Sequence, residues 1–350
     1  NISTPDKQLG HRKQIQLLIF ILSISVVLRV GSAIYLGNEV VNLPGTYDQI
    51  SYHHLAMRVI DGYGFTFGEK WWPVTGAGEP TAHWSFLYTF YLVIVYKIFG
   101  INPLVARLIQ AALVGILHPL FIFLIAKRVF GTITGLIAAV ITAIYIYFIY
   151  YSASLMTEAF YITGILASIY LGIVAADGIS SEQNNITKQS TMILMGLGIT
   201  LGITVLLRQL FLLFIPFLLG WILIVGYIKC KHIFLRYLLI PLLLIFLLVL
   251  PFTVFNYSRF NQFVLLNTNA GYAFFWANHP IYGSKFVPIL ESTTYQELIP
   301  PELLYLNEAA LDSALLLRGI QFIQACLLYT SDAADDTQFV LVAGGGGGGR

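Results

Sequence analysis

Apolar residues in this chain come in long unbroken runs, not in the strict alternation of a half-buried strand. A helix that crosses a bilayer needs about 20 such residues. The runs at 15–36, 104–126, 130–151, 155–175, 191–207, 210–228 and 233–255 come close to or exceed that length and predict seven spans. An eighth run, "SFLYTFYLVIVYKIF" at 85–99, is shorter and aromatic. Its pattern fits either a crossing or a helix lying in the interface. Between the first run and this one stands "YDQISYHHLAMRVI", in which Asp48, Tyr52, Leu55 and Val59 recur at three- and four-residue spacing. That spacing predicts a helix along the membrane surface.

Basic residues choose between the two readings of 85–99. His11-Arg12-Lys13, Lys127-Arg128, Lys188 and Lys229/Lys231/Arg236 flank the spans. Positive flanks belong on the cytoplasmic side. With the N-terminus inside, all four clusters fall inside only if 85–99 does not cross. The fold class expected is therefore an all-α polytopic membrane protein of seven spans, with interfacial helices in the first outer loop. Asp48, Glu158, Arg107 and Arg208 then share the outer face, and so does everything from Asn256 onward.

Composition agrees and closes other routes. Of the 350 residues 57% are hydrophobic and 10% charged, with mean hydropathy +0.78. Soluble domains carry about 25% charged residues, so this chain cannot cover itself with polar surface. A net charge of +2 gives no reason to expect nucleic acid, and two cysteines, Cys230 and Cys326, imply no disulfide framework. The stretch 326–350, "CLLYTSDAADDTQFVLVAGGGGGGR", changes character abruptly. Cys326–Asp336 resembles the translation of a sequencing-library adapter and Gly344–Gly349 a poly-G read; a flexible glycine linker is the plainer alternative. The expected division is a transmembrane module at 1–255, an outer segment at 256–325 and an artefactual tail at 326–350, with the natural chain continuing past Gln324.

The outer residues are the candidates for chemistry. Asp48 at the start of its helix fits an N-cap, or a general base that takes a proton from an acceptor hydroxyl. Glu158, on the lip of an apolar helix, needs water, a cation or a partner there. Arg107 and Arg208 at outer helix ends suit bidentate binding of phosphate, and snorkelling to lipid headgroups is the competing use. Adjacent His53 and His54 point about 100° apart on a helix, which argues against a histidine metal site. Asp48 and Glu158 together are a pair that a divalent cation would accept. "GLGITLG" at 196–202 reads as small-residue helix packing.

The order of these features resembles a known family. An acid follows the first span, then come "DGYGF", "EPTAHWSFLYTFYLVIVYKIFG", "NPLVARLIQAALVGILHPLFIFLIAKRVFG", "SASLMTEAF", "GITLGITVLLRQLFLLFIPFLL" and "LPFTVFNYSRFNQFVLLNTNAGYAFFWANHP". This set resembles the family 39 glycosyltransferases, the protein-mannosyltransferase-like group with the C-type membrane fold, to which the lipid A aminoarabinose transferases are related. The resemblance implies inverting transfer of a sugar from a polyprenyl phosphate to an acceptor on the outer or luminal face. The acceptor implied is a protein hydroxyl, lipid A or a polysaccharide, and the compartment the bacterial plasma membrane or the endoplasmic reticulum. Asp48 then corresponds to the catalytic acid of the first outer loop, Glu158 to that of the second, and Arg107 and Arg208 to the basic residues near the donor phosphate. Tyr52 and His83 become substrate-contact candidates. Gln49 stands where many members carry a second acid, and His83-Trp84-Ser85 where many carry a Pro-Pro-Gly run. A transporter or flippase of lipid-linked sugars is the rival reading, as is a sugar-lipid ligase or polymerase. Charges at helix ends and the lack of an internal repeat count against a transporter.

Overall fold

The computed structural model describes residues 10–179, 188–231, 235–282 and 296–343, with side chains as far as Cys326. The Gly344–Gly349 run and residues 283–295 of the C-terminal segment lie outside the described residues. Among the described residues there are twelve α-helices and no strand. They are α1 (His11–Leu36), α2 (Asp48–Ile60), α3 (Phe86–Phe99), α4 (Pro103–Phe130), α5 (Thr132–Ile144), α6 (Ile146–Ala153), α7 (Glu158–Gly178), α8 (Lys188–Leu207), α9 (Ile215–Cys230), α10 (Arg236–Phe260), α11 (Ala270–Ala277) and α12 (Glu308–Ala343). The chain divides into two compact units, residues 1–66 with 84–255, and residues 67–83 with 256–350.

Among the described residues six segments are long and apolar enough to cross a membrane: α1, α4, α7, α8, α10, and α9 with its 3₁₀ lead-in from Gln209. The pair α5 and α6 makes a seventh when counted as one span bent by 53°. Helix α3 has 14 residues, about 21 Å at 1.5 Å per residue and short of the roughly 30 Å hydrocarbon core. Local chemistry marks the boundaries. Ser85 caps α3 by accepting from the Tyr88 N–H, and Asn102 caps α4 by accepting from Val105, with Pro103 following as the first helical residue. Helix α4 ends at Gly131, whose φ of 96° suits a residue without a Cβ.

The run read as one span at 130–151 is broken at Tyr145, which is extended. A break inside a membrane leaves carbonyls without partners, a costly state in lipid. Arg29 of α1 resolves it. Its guanidinium, wholly buried, donates to the carbonyls of Thr142 and Ala143 at 3.0 Å each, and to the Ser25 hydroxyl at 2.6 Å. A lone cation inside a span thus serves as the cap of another helix.

The small residues of α8 pack as their spacing suggests. A Cβ at Gly198 would lie 2.8 Å from the Pro241 Cα, and one at Gly202 2.5 Å from a Leu248 methyl. Helix α10 therefore sits against a groove in α8, which is how helices associate where no hydrophobic drive exists. At one end of the bundle Arg128 of α4 pairs with Asp177 of α7 at 2.6 Å, and Lys229 of α9 lies 3.7 Å from the same carboxylate. Glu158 begins α7 and Asp177 nearly ends it. Nineteen residues of helix separate them by about 29 Å, so the two acids stand at opposite ends of the first unit.

The second unit is organised by a buried carboxylate. Glu308, at the start of α12, accepts from the Thr75 hydroxyl and the Ala82 N–H, each at 2.7 Å, and from the Thr268 hydroxyl. Asp312, one turn on, accepts from the Gly271 and Tyr272 N–H groups at the start of α11. Tyr272, Phe275, Leu311 and Leu315 close the core between α11 and α12. The division expected at 255 leaves 67–83 with the first module. The structure groups that stretch with residues 256 onward, because Glu308 gathers its hydroxyl and amide donors.

Two outcomes follow. Gly198→Ala should destabilise the detergent-solubilised protein by about 1–3 kcal/mol, the usual cost of overpacking, whereas Gly220→Ala, with open space around the new methyl, should not; denaturation midpoints decide. Single cysteines at positions 47 and 177, in a variant lacking Cys230 and Cys326, should react with an impermeant maleimide from opposite sides of the membrane.

Candidate active site

Asp48 occupies the first helical position of α2, behind Tyr47 at the N-cap, and no side chain caps this helix end. The Asp48 carboxylate makes no hydrogen bond among the described residues, so capping does not account for it. What fixes it is its neighbour. Gln49 is buried, and its amide nitrogen donates to the Val41 carbonyl at 2.6 Å and to the Thr46 hydroxyl at 3.1 Å. Its amide oxygen accepts from Arg107 at 3.1 Å. The same guanidinium donates to the Gly37 carbonyl at the end of α1 (2.5 Å) and to the Ala153 carbonyl at the end of α6 (3.0 Å). Arg107 is only 1% exposed. It ties the ends of α1 and α6 to the start of α2 and offers a ligand almost no surface.

Glu158 opens α7, with one oxygen paired to Arg208 and the other buried without a partner. Arg208 follows the last residue of α8. Its Nε donates to the Thr157 hydroxyl at 3.0 Å, its guanidinium lies 5.7 Å from the Tyr161 ring centre, and its side chain is 40% exposed. The Asp48 carboxyl is pushed up to about 6 by burial and by the Glu158 charge, with Arg208 pulling the other way. Asp48, Glu158 and Arg208 therefore form one electrostatic cluster of two carboxylates and one guanidinium. Among the described residues no three His, Cys, Asp or Glu side chains gather as a metal site. A divalent cation there would have Asp48 and Glu158 as its protein carboxylates.

The rest of the cluster's floor is hydrogen-bonded. Tyr52 lies between α2 and α3, 4% exposed, its hydroxyl accepting from the Ser85 N–H and its ring edge-on to Trp84 and Tyr88. Ser85 donates to the Leu206 carbonyl at 2.8 Å, which anchors α3 just before Arg208. Tyr88 donates to Gln110 at 2.7 Å, and Gln110 donates to the carbonyls of Ser152 and Ser154. Tyr52 thus borders the cluster from inside the protein. His83 belongs to the second unit, 7% exposed, against Trp72 and Tyr272 and beside the Thr268 carbonyl; burial pushes its imidazole down to about 4. His53 is engaged with the Tyr96 hydroxyl at 2.9 Å.

Arg29, Gln110 and Thr157 carry structural roles that the sequence does not assign. Arg29, the one charge of α1 beyond its first turn, was the available signal.

The sequence model of the dolichyl-phosphate-mannose-protein mannosyltransferase family matches residues 83–255. The match takes in Arg107, Glu158 and Arg208 and begins after Asp48. No curated protein matches the chain, and no solved structure does. Through residues 83–255 the chain belongs to the dolichyl-phosphate-mannose-protein mannosyltransferase family, and it is an integral membrane glycosyltransferase.

Proposed function

We propose that the protein transfers a sugar from a polyprenyl phosphate to an acceptor hydroxyl, with inversion, at the bundle end that carries Asp48, Glu158 and Arg208. The observation behind this is the Asp48 carboxylate: half-buried, without a hydrogen bond, and shifted towards neutrality beside a half-exposed guanidinium. A base poised near the working pH is what proton abstraction from a hydroxyl requires. The polyprenyl tail stays in lipid beside the spans, so the sugar meets the protein at the headgroup level.

In the reaction the acceptor oxygen attacks the anomeric carbon from the face opposite the phosphate. Its proton passes to Asp48. The bond between the anomeric carbon and the phosphate oxygen breaks, and the electron pair leaves with the polyprenyl phosphate. Arg208 takes up the negative charge that develops on the leaving oxygen. Glu158 holds Arg208 in place and keeps the Asp48 carboxyl high. Arg107 acts as a positioning residue: through Gln49 it fixes the turn that carries Asp48, a role revised from donor binding because its guanidinium is buried. The acceptor classes that fit are a protein hydroxyl, a lipid A or other glycolipid, and a polysaccharide. The flanking charges favour the non-cytoplasmic face, and the outer face of a bacterial plasma membrane is the compartment proposed.

A carrier of lipid-linked sugars would use broken helices and ionisable groups within the membrane. The α5–α6 break and Arg29 have that look, but the two terminal nitrogens of Arg29 are engaged with the carbonyls that the break exposes. That favours a structural use.

Asp48→Asn should lower transfer by about a hundredfold or more with membrane abundance unchanged; activity within tenfold of the parent removes Asp48 as the base. In the parent, kcat/KM should fall below a pH of about 6, tenfold per unit, as Asp48 becomes protonated. Glu158→Gln removes a charge that raises this carboxyl, so the acid limb should move to lower pH. Arg208→Ala should raise the KM for the polyprenyl-phosphate sugar more than it lowers kcat, measured with a labelled donor in detergent.

A further inference from the structure

Two adjacent tyrosines near the end of α6 treat their hydroxyls differently. Tyr150 donates to the Pro44 carbonyl at 2.9 Å and so braces the loop that leads to Asp48. Tyr151 makes no hydrogen bond among the described residues, although its hydroxyl stands directly over the same loop. A methyl group at Gly45 would lie 2.9 Å from that oxygen, and Gly45 has a φ of 70°. A residue without a Cβ at this point therefore serves two ends, the left-handed turn and the room for a phenol above it. The Tyr151 ring is half-buried, and its hydroxyl lies within electrostatic reach of Glu158. Tyr47, beside Asp48, is 37% exposed.

The direction of α6 follows from the break at Tyr145. An unbroken span would carry residues 146–153 onward along the α5 axis. The bend turns α6 instead; Arg29 closes the end of α5 before it, and Arg107 the end of α6. The bend brings one phenol, without a hydrogen bond among the described residues, within electrostatic reach of Glu158. Sugars are held in proteins by ring faces packed against aromatic side chains and by hydrogen bonds to individual hydroxyls. Tyr151 can supply both kinds of contact from one side chain.

We infer that Tyr151 is a specificity-determining residue, its hydroxyl hydrogen-bonding one hydroxyl of the sugar carried by the donor. The assignment rests on the donor reading given above. It makes Tyr151 a reader of sugar identity, separate from proton abstraction at Asp48 and phosphate binding at Arg208.

Tyr151→Phe deletes the hydroxyl and keeps the ring. With the natural donor it should lower kcat/KM about three- to tenfold, the range of one hydrogen bond. Polyprenyl-phosphate sugars deoxygenated in turn at C2, C3, C4 and C6 then identify the partner. The variant's penalty should vanish for one of the four and persist for the other three, and Tyr150→Phe should show no such dependence. An equal penalty for all four, a penalty that tracks the acceptor instead, or loss of folded protein on removal of this one hydroxyl overturns the assignment. No transfer by the parent protein from any polyprenyl-phosphate sugar overturns the donor reading, a separate result from the comparison of variants.

Discussion

Backbone polar groups must be satisfied inside a bilayer, and in this protein two guanidinium groups meet that constraint where helices end early. Arg29 takes the last carbonyls of α5. Arg107 takes one carbonyl at the end of α6 and one just past α1. A guanidinium suits the task because its fork of donors reaches several acceptors and it stays charged under burial. An arginine at a helix C-terminus also faces the negative end of the dipole. Without these two side chains the bent span would expose carbonyls to lipid, and α6 would have no reason to keep its direction. The geometry around Asp48 is downstream of that solution, since Arg107 also holds Gln49.

Charge at the cluster is unbalanced by design of the neighbours. Two carboxylates face one guanidinium, and Glu158 holds the direct ion pair. Asp48 is left as the carboxylate that does not gain full stabilisation of its charged form, and its pKa rises accordingly. Pairs of acids whose surroundings push them apart are how one site keeps one anionic group as a fixed charge and another as a proton carrier. In the proposed reaction Asp48 is the member of the pair that carries the proton, and Glu158 the one that holds Arg208. A neutral Gln49 fits this division: a second acid beside Asp48 would face Arg107, and the clamp would then become another ion pair in place of an amide link.

Much of this was legible in the sequence. Long apolar runs gave the spans because lipid imposes one length on every crossing helix. Charge parity kept α3 out of the count, and its 14 residues agree. It also put Asp48, Glu158 and Arg208 on one face. The break at Tyr145 was not legible, because "AIYIYFIYY" is as apolar as an unbroken span and contains neither Pro nor Gly. Only a tertiary partner, Arg29, makes it tolerable, and tertiary partners leave no periodic trace. The same limit applied to Arg107. An arginine opening a span reads alike whether it faces headgroups, a phosphate or the interior, and burial alone separates the three. Tyr52 fell on the helix face shared with Asp48, as its spacing says, but that face turns towards α3.

The functional consequence is a separation of labour along the chain. Residues that bear charge at the surface of the cluster are few, and each hangs from an element fixed by groups that never touch a ligand. Asp48 depends on Gln49 and Arg107. Arg208 depends on the end of α8, which Ser85 anchors, and on Thr157. Tyr151 depends on a bend that Arg29 fixes at the end of α5 and Arg107 at the end of α6. Such an arrangement lets the exposed members vary with substrate while the buried arginines stay constant, because exchanging a surface phenol costs one contact and removing a buried guanidinium orphans several carbonyls at once. Differences in sugar or acceptor among proteins built on this plan should therefore lie in the rim of the site, and the frame that presents it should tolerate almost no change.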